Sequence, residues 1–157
     1  MKSIAFFNNK GGVAKTTSVV NIDYILGKVY QRKVLIVDCD GQQNASRFLS
    51  DEIGSMGIEK VLTEKTVSPD SSLTSTRYEN IDVLTSTSEI NNCCEKFHGL
   101  DISEQECNLK KLIDFWKDKY DYILFDIPPA LNYLSENIIS IADGVIILQI
   151  KHKNKKS

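Results

Sequence analysis

Apolar residues in this chain gather in short unbroken runs: Ile4-Ala5-Phe6-Phe7, Val34-Leu35-Ile36-Val37, Tyr122-Ile123-Leu124-Phe125 and Val145-Ile146-Ile147-Leu148, with the shorter Ile81-Asp82-Val83-Leu84 among them. Continuous rather than alternating apolarity suits strands covered on both faces, as in a parallel sheet. The segments between carry helical spacing. Val19, Val20, Ile22 and Leu26 follow the first run, with Asp23 interrupting the face and Gly27 as the expected stop. Ile58 to Leu62 and Glu89 to Phe97 read as short helices, the second broken by Gly99. Leu109, Leu112, Ile113 and Trp116 recur at i, i+3, i+4 and i+7, so Glu104 to Asp118 is an amphipathic helix whose tryptophan is a core residue. Ser135 to Ala142 is a further helix, while Thr63 to Asn80 is polar and reads as loop. Strands alternating with helices predict an α/β fold, a parallel sheet of about five strands in three layers with right-handed crossovers and helices on both faces.

The chemistry collects at the ends of three of these runs. Directly after the first comes Asn9-Lys10-Gly11-Gly12-Val13-Ala14-Lys15-Thr16-Thr17, which opens a helix. A strand, a glycine turn, a lysine and two hydroxyls at a helix start form a phosphate cradle: successive backbone N–H groups can converge on anionic oxygens. Gly11, Gly12, Val13 and Ala14 supply the loop, Lys15 an ammonium, Thr16 a hydroxyl for a bridging Mg2+, and Thr17 a second hydroxyl. The bland reading is a glycine turn with a solvated lysine. The second run ends in Asp38-Cys39-Asp40, then Gly41-Gln42-Gln43-Asn44-Ala45-Ser46. Open α/β sheets place ligands at the carboxyl ends of strands, so both carboxylates emerge beside the cradle, although Asp and Asn also serve as turn and cap residues. The fourth run ends at Asp126, an acid placed to reach the metal shell or simply to finish a strand.

Composition narrows the setting. At 157 residues, with 41% hydrophobic and 25% charged residues, the chain is one ordinary globular domain with a core of its own. A net charge of −2 exerts no general pull on nucleic acid or membrane. Cys39, Cys93, Cys94 and Cys107 lack paired zinc spacing and are expected as reduced thiols in a cytoplasmic protein. No leader and no apolar run of spanning length is read, which argues against a membrane. Residues 1–150 are expected to form the nucleotide-binding domain. Residues 151–157, Lys-His-Lys-Asn-Lys-Lys-Ser, are expected as a basic solvated tail, with a phosphate-binding arm as the alternative.

The three motifs together resemble the ParA/MinD family of ATPases. The first, K-G-G-x-x-K-T-T, is similar to that family's deviant Walker motif, including its extra signature lysine, here Lys10; Ala14 stands where the second glycine of an ordinary P-loop would be. The second resembles D-x-D-P-Q-G-N-A-S at Asp38, Asp40, Gln42, Asn44, Ala45 and Ser46, with Gly41 in place of the proline and Gln43 in place of the glycine. The third, Asp126-Ile127-Pro128-Pro129, is similar to the family's D-x-P-P. The resemblance implies a strand order of 3-2-4-1-5 and hydrolysis of ATP to ADP with Mg2+. Lys10, Lys15, Asp38 and Asp40 would be catalytic, Asp40 orienting the attacking water. Gly11 to Thr17 would hold the nucleotide, and Thr16 and Asp126 the metal. It also implies an ATP-dependent homodimer in which Lys10 crosses to the partner's nucleotide, and nonspecific DNA and a ParB-like protein as partners in plasmid or chromosome partition. Relatives continue past the fifth strand, so this chain is expected to lack their C-terminal third. A nucleotide-binding module with little turnover and a MinD-like regulator are the competing readings; the N-A-S element favours the partition branch.

Overall fold

The computed structural model describes residues 1–64, 66–98 and 101–149, without the side chains of residues 94, 96–98 and 102–107. The expected stop at Gly99, the side chains of Cys94 and Cys107, and the basic tail lie outside the described residues. In chain order the elements are β1 (Lys2–Phe7), α1 (Lys15–Tyr24), β2 (Val34–Asp38), α2 (Asn44–Leu49), α3 (Ile58–Thr63), β3 (Leu73–Ser75), β4 (Ile81–Leu84), α4 (Ile90–His98), α5 (Ile102–Trp116), β5 (Tyr122–Asp126), α6 (Tyr133–Ile141) and β6 (Gly144–Ile147).

The sheet runs β3-β4-β2-β5-β1-β6. Counting only the five runs read from the sequence, this is the expected order 3-2-4-1-5. The sixth strand is β3, which pairs antiparallel with β4 at one edge inside the segment read as loop. Its three residues, Leu-Thr-Ser, are too few to show a period. All other pairings are parallel.

Strand side chains alternate between two apolar layers. On one face Phe6, Val34, Ile36, Val83 and Leu124 meet Val19 and Val20 of α1 and Ala45 and Leu49 of α2. On the other, Ala5, Leu35, Val37, Ile123 and Phe125 meet α3 to α6 through Ile58, Leu62, Ile90, Leu109, Leu112, Trp116, Leu134 and Ile138. Trp116 is buried, and its Nε1–H donates to Asp70 Oδ1 at 3.2 Å. Cys39 and Cys93 are buried. No described helix is long and apolar enough to cross a membrane.

One detail of the first helix differs from expectation. Gly27 does not end it; α1 continues through a π-helical turn over Ile25–Val29. Gly27 is instead a close-packing glycine: a Cβ there would lie 2.5 Å from Ile81 Cγ1. Asp23 faces inward, fully buried, and neither carboxylate oxygen has a hydrogen-bond partner. Burial alone pushes its pKa up to about 8, so the side chain is a neutral acid at pH 7.

That shift fixes a sign. Between about pH 4 and the native value near 8, the native state holds a proton that the unfolded chain has released. Stability therefore falls as pH rises through this window, with a limiting slope of ~1.4 kcal/mol per pH unit from this group. Urea unfolding at pH 5 and pH 8 is expected to show the loss, and Asp23→Leu is expected to flatten it; an unchanged slope in the variant would contradict the neutral assignment.

Candidate functional site

The three chemistry-bearing segments meet at the carboxyl ends of β1, β2 and β5. Register places Phe6 and Asp38 on either side of Asp126, so the two aspartates point to the same face of the sheet, the one covered by α1. The loop after β1 turns over this edge and delivers the first residues of α1. Gly12 adopts φ +72°, and Ala14, the residue before α1, is also left-handed at φ 60° and ψ 29°. For alanine this backbone costs about 1–2 kcal/mol, a strain of the sort stored at ligand sites. A Cβ at Gly11 or Gly12 would meet nothing within 4 Å, because both glycines border open space. Among the described residues, the N–H groups of Gly11, Gly12, Val13 and Ala14 have no protein acceptor. Donors left unmade around a glycine turn are what a bound anion would satisfy.

Beneath the loop, Lys15 is buried and its Nζ lies 2.8 Å from Asp126 Oδ1. Thr16 Oγ1 donates to the other oxygen, Oδ2, at 2.7 Å. Lys15, Thr16 and Asp126, read separately from the sequence, are therefore in direct contact. Asp38 is fully buried; its Oδ2 accepts from Ser46 N at 2.9 Å and Ser46 Oγ at 2.8 Å, and its Oδ1 from Asp40 N at 3.2 Å. Burial raises the Asp38 pKa to about 6; the nearby Asp126 charge adds to the rise, and the Ser46 hydrogen bonds oppose it. Asp40 is half-buried and lines a cavity of about 260 Å³ with Lys10 to Thr17, Gln42, Asn44 and Pro129. Asp38 does not line it. The two aspartates thus separate, Asp40 at the cavity wall and Asp38 behind it. Lys10 is exposed at the rim, its backbone N–H held by Asn8 Oδ1 at 2.7 Å.

A family model described as an AAA domain matches residues 1–154. The sporulation initiation inhibitor protein Soj of Bacillus subtilis (strain 168) is 34% identical over 154 residues, covering 93% of this chain and 57% of Soj. A plasmid partition protein from Borrelia burgdorferi superposes with a TM-score of 0.79 at 29% identity, over 93% of this chain and 64% of that one. The chain belongs to the ParA family of P-loop ATPases. Cobyrinic acid a,c-diamide synthase from Mycobacterium smegmatis, solved with a bound ATP analogue and magnesium, shares the fold with a TM-score of 0.85 at 28% identity, over 95% of this chain and 60% of that one. The chain spans about half the length of the curated relatives it matches.

Within this ParA-family site, sequence reasoning missed two contributors. Gln42 and Asn44 belong to a stretch already singled out, but Ser46 was read only as part of a motif. It is the residue that holds Asp38 in place, and the N-A-S-R-F-L segment around it is a helix rather than a turn. Pro129 was noted for its motif, and the fold carries it to the cavity wall.

Ser46→Ala would leave the buried Asp38 carboxylate one bond short. Urea denaturation at pH 7 is expected to show a loss of about 1–3 kcal/mol. A loss below 0.5 kcal/mol, roughly what an ordinary surface substitution costs, would mean that Asp38 is held by something other than Ser46.

Proposed function

We propose that this chain binds ATP with Mg2+ at the loop 10–17 and hydrolyses it, as an ATPase of plasmid or chromosome partition. The observation that carries the reading is the convergence of Lys15 and Thr16 on the two oxygens of Asp126 beneath a loop with unmade N–H donors. Phosphoryl transfer asks mainly for positioning and charge neutralisation, and these residues supply both. The amides of Gly11 to Ala14 and the Lys15 ammonium hold the phosphates, and Thr17 at the exposed start of α1 adds a hydroxyl. Thr16 and Asp126 would hold Mg2+, which supplies neutralisation of the phosphate charge. Asp40 orients the attacking water from the cavity wall. Asp38, used internally by Ser46 and Asp40, keeps the second strand's turn in shape. Exposed at the rim, Lys10 is free to reach a second protomer's nucleotide in an ATP-closed dimer. A ParB-like protein and nonspecific DNA are the partners this reading supplies, and residues 1–150 form its nucleotide-binding unit.

ATP titration followed by sizing in solution, with phosphate release measured with and without DNA, tests the proposal. Binding, an ATP-dependent doubling of mass and DNA-stimulated release are expected. Background release in both conditions with binding retained would leave a nucleotide-binding module. No binding would end both readings.

Lys10→Ala is expected to keep ATP affinity within about twofold and to lower turnover by ~10^3 or more, the scale of a cationic finger supplied to a phosphoryl-transfer site. Unchanged turnover and unchanged dimerisation in that variant would remove the cross-protomer role.

A further inference from the structure

The turn that carries Asp40 lacks the two residues that suit its backbone in the family pattern. Gly41 stands in place of the proline that would preset φ, and Gln43 in place of the glycine that would take left-handed backbone freely. Gln43 nevertheless sits at φ 58°, and its N–H closes the turn onto Asp40 O at 2.8 Å. A flexible residue at one position and a disfavoured backbone at another would leave Asp40 poorly aimed.

The loop after β4 meets this turn at several points. Ser86 is fully buried, and its Oγ donates to Asp40 O at 2.6 Å. The Ser86 carbonyl accepts from Gln43 Nε2 at 2.5 Å, so one residue grips both ends of the turn. Gln43 Oε1 in turn accepts from Arg47 at 3.1 Å. Gly41 lies flat on the same loop: a Cβ there would come within 3.2 Å of Ile90 Cγ2 and 3.4 Å of Thr87 O. The loop itself is anchored from α3, where buried Glu59 accepts from both the Thr87 N–H and the Thr87 hydroxyl, and Ile58 N donates to Thr85 O at 2.8 Å.

We propose that Ser86, backed by Gln43 and by the Glu59–Thr87 anchor, is the positioning element for Asp40, supplying with side-chain tethers the definition that proline's fixed φ and glycine's ease in left-handed backbone would give the turn. Its effect on turnover rests on the hydrolysis reading above; its effect on the turn does not. None of these residues lines the cavity that Asp40 lines, so they act through the turn that carries Asp40, Gln42 and Asn44. An acid that orients water loses efficiency steeply when displaced, ~10^2-fold for about 1 Å.

Two measurements on Ser86→Ala in the full chain test this. Amide hydrogen exchange at Gln42 and Gln43 is expected to speed by tenfold or more, while β1 and β5 amides stay as in the wild type. Steady-state phosphate release is expected to lose about tenfold or more in kcat, with KM and ATP affinity within about twofold. Gln43→Ala, which removes the tether and keeps the disfavoured backbone, is expected to lose several-fold more turnover than Gln43→Gly, which relieves it. Unchanged exchange at the turn overturns the proposal outright. Faster exchange with unchanged kcat overturns the positioning role, and so does equal loss in the two Gln43 variants. If the wild type itself shows no turnover, the hydrolysis reading fails while the exchange result still decides whether Ser86 holds the turn.

Discussion

The site depends on the meeting of two buried carboxylates and one ammonium. Parallel pairing of β2 with β5 sets Asp38 level with Asp126, and the turn after β1 brings Lys15 to Asp126 at 2.8 Å. One cation cannot neutralise two buried anions, and the deficit shows in the direction of the Asp38 pKa, lifted by burial and by its charged neighbour. Thr16 takes up the second Asp126 oxygen with a hydroxyl, the most a neutral group can offer. The arrangement is thus short of positive charge at its floor and rich in unmade N–H donors at its roof. A divalent cation with a polyphosphate answers both needs at once, which a lone phosphate or a lone metal would not.

Part of the backbone strain lies beside this chemistry. Among the described residues, four besides glycine have positive φ: Ala14, Gln31, Gln43 and Asn80. Ala14 and Gln43 each stand immediately before a helix whose first turn borders the site, and neither helix has a side-chain cap. Their uses diverge. At α2 the donor is satisfied internally, because Asp38 accepts from Ser46 N–H and thereby spends a carboxylate on structure. At the loop before α1 nothing comparable intervenes, and the donors stay available. The same local device therefore builds a fixed support at one strand end and a receptor at the other.

Most of the parallel sheet was legible because its strands are buried on both faces and so read as unbroken apolar runs. The strand order was not in those runs; it came from the resemblance carried by three motifs. β3 escaped notice because Leu73-Thr74-Ser75 has no room to show a period and sits in a polar stretch. Gly27 was taken for a stop because glycine ends helices by composition, whereas its role here is set by Ile81, far away in the chain. Ser46 could not be linked to Asp38 from sequence, since an eight-residue separation becomes a contact only once the turn folds back. Asp23 stood out in the sequence as an interruption, and burial without partners gives that interruption its physical content.

The strands that carry the site are contiguous and internal. β1 is bonded to β5 and β6, β5 to β2 and β1, and β2 to β4 and β5. The loop, the Asp38–Asp40 turn and Asp126 thus each hang from a strand braced on both sides. Among the described residues, β6, whose Val145 and Ile147 side chains are exposed, and β3 lie at the edges of this sheet. An error of register at the β3 edge would have to pass through β4 before reaching β2, whereas β6 pairs directly with β1, the strand that carries the loop. Each of the three groups is nevertheless held by a strand paired on both sides within the portion of the family fold present in these residues.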